Sequence, residues 1–153
     1  MVYDPRSYGS SREREPREKI VHQPLNDDNY VDVAETAMRA LIDNKAVKGA
    51  GDEKLTSSKL RTILSMTADI YNRIKSGTQD ELNDEVKQSL QYLRVRCLYE
   101  AGRDDVVKEF MYRAGILDYL KDIKTSRRKC LCFCRYMEAL VAYHKYLSSG
   151  AGL

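Results

Sequence analysis

Apolar residues between positions 56 and 77 recur at helical spacing without interruption. Leu60, Ile63, Leu64, Thr67, Ile70, Tyr71 and Ile74 fall at i, i+3, i+4, i+7, i+10, i+11 and i+14, which places them on one side of a 3.6-residue helix. Thr56 or Ser57 offers a side-chain oxygen to cap its start, and Gly77 ends it. The pattern resumes over 78–102, where Leu82, Val86, Leu90, Leu93 and Cys97 form an apolar face. Thr78 or Asp80 is the expected cap, acidic residues fill the first turns as the helix dipole favours, and Gly102 is the expected stop. Asp104 and Gly115 then bracket a shorter helix, and "ILDYLKDIKT" supplies one or two further turns. Near the other end, Asn26, Asp27, Asp28 or Asn29 can cap a helix whose apolar face holds Val33, Ala37, Ala40 and Leu41. Two glycines in "NKAVKGAGDEK" break the pattern after it.

The last helix, roughly 126–147, is apolar around most of its circumference. Cys130, Phe133, Cys134, Met137, Leu140, Val141 and His144 form one stripe, and Cys132, Tyr136, Ala139, Tyr143 and Tyr146 form a second beside it. Only Arg128, Arg135, Glu138 and Lys145 are left as a polar strip, with Arg135 and Glu138 spaced to pair at i, i+3. A helix of this kind sits inside a bundle or at an interface. No strand-like alternation and no solenoid repeat competes with these patterns. The expected fold is all-α, a compact bundle of five to six helices over residues 26–148, with a flexible charged tail at 1–25 and a flexible end at 149–153.

Composition adds little to this picture until the charge is divided. The chain has 153 residues, enough for one domain, and all three prolines lie at or before position 24. No run of eighteen apolar residues exists to span a membrane, and the first residues lack the apolar stretch of a secretory signal. The expected compartment is therefore the cytoplasm, where thiols stay reduced and no disulfide is assumed. The net charge of +3 conceals an asymmetry. Residues 1–29 sum to −1 and the rest to +4, and within 121–135 six bases face one acid. Such a cluster suits phosphate or an acidic partner, or simply a solvated helix entry.

The cysteines raise a metal site first. Cys130, Cys132, Cys134 and His144 lie within fifteen residues. On a helix, however, Cys132 points nearly opposite Cys130 and Cys134, and His144 lies on the order of 15 Å beyond Cys134 along the axis. Tetrahedral zinc needs its ligands about 2.0 to 2.3 Å from one point, so packing is the expected role of the thiols and no metal or other cofactor is expected. Catalytic signatures are also missing: there is no HExxH, GxSxG or CxxC, and "GAGDEKLTSSK" lacks the spacing of a phosphate loop. No catalytic residue is nominated.

Nucleic-acid contact has more support. Tyr92, Arg96, Tyr99 and Arg103 share one helical face, and Lys54, Lys59 and Arg61 sit around the start of the second helix, where backbone N–H groups also favour phosphate. Basic residues without a base-reading motif point to contact with the backbone rather than to sequence readout.

Three stretches, "KLTSSKLRTILSM" (54–66), "LQYLRVRCLYEAGR" (90–103) and "FCRYMEALVAYHKY" (133–146), together resemble the small all-helical subunit of the type III-A CRISPR–Cas effector, the Csm complex. The similarity runs over roughly residues 28–148. It implies a non-catalytic subunit, present in several copies as a filament beside the backbone and large subunits. Such a subunit lines the channel for CRISPR RNA and target RNA and touches RNA through basic side chains. By position in the matched stretches it nominates Lys59, Arg61, Arg94, Arg96, Arg103 and Arg135, to which charge alone adds Lys54, Arg128 and Lys129. Which of the nine face RNA and which brace the bundle stays open here. The other reading is a helical adaptor that binds only protein.

Overall fold

A computed structural model describes residues 19–43 and 55–148. The tail residues 1–18, the glycine-bearing break with Lys54, and residues 149–153 lie outside the described residues. Six helices make up the described chain: α1 (Tyr30–Asp43), α2 (Ser57–Ile74), α3 (Asp84–Arg103), α4 (Asp105–Ala114), α5 (Ile116–Ile123) and α6 (Arg127–Ser148). The all-α expectation is met, and no strand occurs among the described residues.

The helix boundaries follow from local capping chemistry with one exception. Thr56 accepts from the Lys59 amide, Asp104 accepts from those of Val106 and Val107, and Ser126 Oγ accepts from that of Lys129. Gly115 takes a left-handed conformation (φ 66°) between α4 and α5, its N–H returning to the carbonyls of Met111 and Tyr112. The exception is α3, which Asn83 caps rather than Thr78 or Asp80. Residues 80–82 are unavailable for helix because their backbone pairs with the approach to α6. Leu82 N–H donates to Thr125 and Arg127 N–H to Asp80, both at 2.9 Å. Gly102 does not stop α3 either; the helix runs on to Arg103, where the extended backbone of Asp104 ends it.

α6 packs against α1, α2 and α5, while α3 packs on α2, α4 and α5, and α4 also touches α1. Of the two positions expected from the apolar circumference of α6, inside the bundle or at an interface, it takes the one inside the bundle. Cys130, Phe133, Tyr136, Met137 and Leu140 are all essentially buried. Deleting a side chain of this kind from a packed core costs about 3 kcal/mol. Tyr136, fully enclosed, donates its hydroxyl to the Ala114 carbonyl at 2.7 Å, which satisfies the polar end that burial would otherwise penalise. His144 lies half-buried with Nε2 2.9 Å from the Leu55 carbonyl, so it carries its proton on Nε2 and donates.

All four cysteines are buried and free. Cys134 donates toward the Thr67 carbonyl of α2 at 3.8 Å. Its hydrogen bond with Cys130, with burial second, pushes its thiol well above the ordinary range; burial and then nearby Glu100 push Cys97 up to about 12. Thiols held in this form act as small apolar packing groups.

The tail expectation for residues 1–25 meets packed structure at its C-terminal end. Residues 19–25 have no regular secondary structure, yet the Tyr119 hydroxyl donates to the Gln23 carbonyl at 2.7 Å and Leu25 packs against the core.

Candidate nucleic-acid interface

The nine basic residues nominated from sequence separate into different surroundings. Lys54 lies outside the described residues. Lys59 Nζ is 2.8 Å from Asp104 Oδ2, and both side chains are largely shielded. Because Asp104 also caps α4, this ion pair ties the start of α2 to the start of α4. Burial opposes the Asp104 charge, but the bonds from Lys59 and the Val107 and Val106 amides outweigh it and hold the carboxyl below its ordinary value.

Arg96 and Arg103 converge on one carboxylate. Glu100 is buried, with Arg96 Nη2 3.0 Å from Oε1 and Arg103 Nε 3.4 Å from Oε2. Both guanidinium groups also lie over the Tyr99 ring, 5.1 and 5.8 Å from its centroid. The face expected from Tyr92, Arg96, Tyr99 and Arg103 is thus assembled in part, around Tyr99. Its cations are already engaged by an acid and a ring of the same helix.

Arg135 does not pair with Glu138. It approaches Asp27, ahead of α1, at 3.8 Å, and Arg128 approaches the other oxygen of the same carboxylate at 3.8 Å. α6 packs against α1, so its first half meets the chain just ahead of α1, and the long-range acid takes the place of the local one. Lys129 pairs with Asp122 at 3.2 Å on the surface. Arg61 is exposed on the first turns of α2. Arg127, beside these residues, donates from Nε and Nη2 to the Ile74 carbonyl at 2.9 and 2.7 Å and so caps the end of α2.

Arg94 stands apart from the others. It lines an open groove of about 530 Å³ between the first half of α3 and the end of α5, together with Lys87, Lys121 and Lys124. Gln88, Gln91 and Thr125 add polar groups, and Asp84 is the single acid. Asp84 pairs with Lys87 at 3.0 Å but is itself 90% exposed. Among the described residues no acid is paired with Arg94, Lys121 or Lys124. Lys124 is also the one non-glycine described residue at positive φ (51°), in the turn that closes α5.

Lys87, Lys121 and Lys124 escaped nomination from sequence. Lys87 and Arg94 lie two turns apart on one face, and Lys121 and Lys124 belong to the basic run 121–135. Each pair was therefore visible, but not that the fold sets them around one groove. The same helix α3 exposes Tyr92, Val95, Leu98 and Tyr99, each by half or more, away from the core.

Fold and surface define a small helical bundle with a cysteine-lined core, internally braced arginines and one basic groove. Comparison with known proteins places it further. A family model described as Csm2 Type III-A matches residues 35–150, more than half of the chain. The chain belongs to this family, which bears out the resemblance carried by the three sequence stretches. It is 46% identical over 123 residues to "CRISPR system Cms protein Csm2" of Streptococcus thermophilus, covering 80% of this chain and 93% of that protein. It is also 46% identical over 94 residues to the protein of the same description from Mycobacterium tuberculosis (strain H37Rv), covering 61% of this chain and 76% of the other. The Enterococcus italicus protein of that description is 35% identical over 99 residues, 63% of this chain and 70% of its own length.

Proposed function

We propose that the chain is the non-catalytic small subunit of the type III-A Csm complex in the cytoplasm, and that it holds the phosphate backbone of guide and target RNA without reading bases. The groove between α3 and α5 carries this reading: four cations line it against one exposed acid. Three of them, Arg94, Lys121 and Lys124, are paired with no acid among the described residues and can replace the counterions of a nucleic acid, whose release drives binding. Gln88, Gln91 and Thr125 can share phosphate oxygens, contacts that position a strand and carry no sequence information.

Of the residues nominated from sequence, Arg94 belongs to the groove, and Arg61 and Arg128 remain exposed for further backbone contact. Lys59, Arg96 and Arg103 act first as braces on shielded acids, while Lys129 and Arg135 hold exposed, exchangeable pairs with Asp122 and Asp27. Lys54 keeps its nomination at the entry to α2. Backbone and large subunits, and further copies of this chain in a filament, complete the partners.

A protein-only adaptor is the second reading, and the exposed Tyr92, Val95, Leu98 and Tyr99 favour it, since contiguous apolar surface marks protein contact. The decisive experiment replaces Arg94, Lys121 and Lys124 together by alanine and measures RNA retention and assembly of the complex. Lost RNA affinity with assembly intact supports the RNA-backbone reading. Unchanged RNA retention sinks it and leaves the adaptor.

A further inference from the structure

Residues 19–25 lie beside α1, α4 and α5 as a strap without regular secondary structure, its backbone held by the distant side chains of Tyr112 and Tyr119 and by nearby Asn29. The Ile20 N–H donates to the Tyr112 hydroxyl at 3.4 Å, the Tyr119 hydroxyl donates to the Gln23 carbonyl at 2.7 Å, and Asn29 Nδ2 donates to the Pro24 carbonyl at 2.9 Å. The His22 ring meets the Tyr119 ring edge-on, with centroids 5.9 Å apart.

Gly115 is the seat of this arrangement. Its φ of 66° already favours glycine, and a Cβ there would come within 2.7 to 2.9 Å of three atoms of the His22 ring. The glycine that ends α4 thus also leaves the space into which the strap is set. A hollow opens on each side: one lined by His22, Leu98, Met111 and Leu117, the other by Ile20, Val33, Ala37 and Tyr119. The strap fills the middle of a longer trough, mainly apolar on the Leu98–Leu117 side and mixed on the α1 side, where Thr36 and Arg113 join the lining, and it lies against buried Tyr119.

We infer that residues 19–25 form a releasable latch, seated on Gly115 of the same molecule, that closes the trough between α1 and the α4–α5 turn. Three hydrogen bonds to its backbone, the His22 ring and Leu25 hold it, contacts few enough that it opens without unfolding the bundle. Its opening bares Val33, Ala37 and Tyr119. This inference is independent of RNA binding.

Trypsin cleavage of the full chain at Lys19–Ile20 tests it, because the rate follows the population of the open strap when closing is fast. His22→Ala should raise that rate about tenfold while the thermal midpoint of the bundle moves little. Gly115→Ala should also raise it, but by less in the His22→Ala background, where the added methyl no longer meets a ring. Equal rates in the parent and His22→Ala overturn the latch, as does a Gly115→Ala effect of the same size in both backgrounds, which would mean backbone strain alone. Rates independent of protein concentration support closure within one molecule. Protection that grows with concentration overturns it in favour of a strap contributed by a second copy.

Discussion

Two groups of cations share α3 and differ in what they face. Toward its C-terminal end, Arg96 and Arg103 close on Glu100, whose side chain is only 9% exposed. On a different face, Arg94, two residues before Arg96, and Lys87 look into a groove whose one acid is 90% exposed. Both groups read in the sequence as basic residues on a helix. The difference lies in the burial of the acid. A shielded carboxylate makes its partners structural, because removing either leaves a charge stranded, whereas a solvated pair is worth about 0 to 1 kcal/mol and is readily exchanged for another anion. The basic character of this protein is therefore divided between cations that hold its own helices and cations that face only a solvated acid.

The largest effect tests the open group. Alanine at Arg94, Lys121 and Lys124 removes three proposed phosphate partners, each worth about 0.7 in the slope of log affinity against log salt for a single strand. At about 0.1 M salt this is about a hundredfold loss of RNA affinity, with the slope shallower by about 2. Filter binding across a salt series measures both. A loss of affinity with an unchanged slope would show that the groove does not act on phosphate.

The braced group should fail in the other way. Glu100→Ala leaves Arg96 beside Tyr99 with no acid, and its Nε is already buried without a partner. The expected cost is about 2 kcal/mol, or about 6 °C in thermal midpoint, with RNA affinity at the groove kept. A midpoint within 1 °C of the parent would place Arg96 among the open cations.

Lys59 and Asp104 give a smaller effect and a pH signature. Lys59→Met keeps the aliphatic packing and removes the ion pair, for an expected loss of about 1 kcal/mol near neutral pH. Asp104 is held below its ordinary value of 3.8 in the folded chain. Its contribution is thus complete above that value and disappears as the pH falls through 3.8 and then through the lower folded value. Urea midpoints at pH 7 and pH 3 should show the variant and the parent converging in acid. A gap that stays constant would detach the pair from the stability of the α2–α4 contact.

The contrast between these groups was only half legible in the sequence. Periodicity fixed what is local: the stripe of α2, the double stripe of α6 that makes it central, the Asp104 cap and the Gly115 turn. Pairing across the fold was not local and was misjudged or missed. Asn83 caps α3 because residues 80–82 are taken by residues 125–127, forty-odd positions away. Arg127 looked like any member of the basic run and is the cap of α2. Arg135 had Glu138 one turn away and closes on Asp27 instead. Lys121 and Lys124 share a groove with Arg94 only because α5 packs on α3. Each of these depends on which elements adjoin, and no single helix pattern encodes that.

The smallest expected effect sits on the border between the two groups. Asp27 lies 3.8 Å from both Arg128 and Arg135, and Arg128 is 83% exposed. At that distance and exposure, the Coulomb gain is screened by water and salt and offset by ordering long side chains. Asp27→Asn should therefore shift the thermal midpoint by about 1 °C or less. It also frees two guanidinium groups from the acid they share, and RNA affinity should rise about two- to fivefold at low salt and return to the parent value as salt is added. A drop of several degrees with no gain in RNA affinity would move Arg128 and Arg135 to the braced side. A gain in affinity at unchanged stability extends the open surface from the α3–α5 groove onto the first turns of α6.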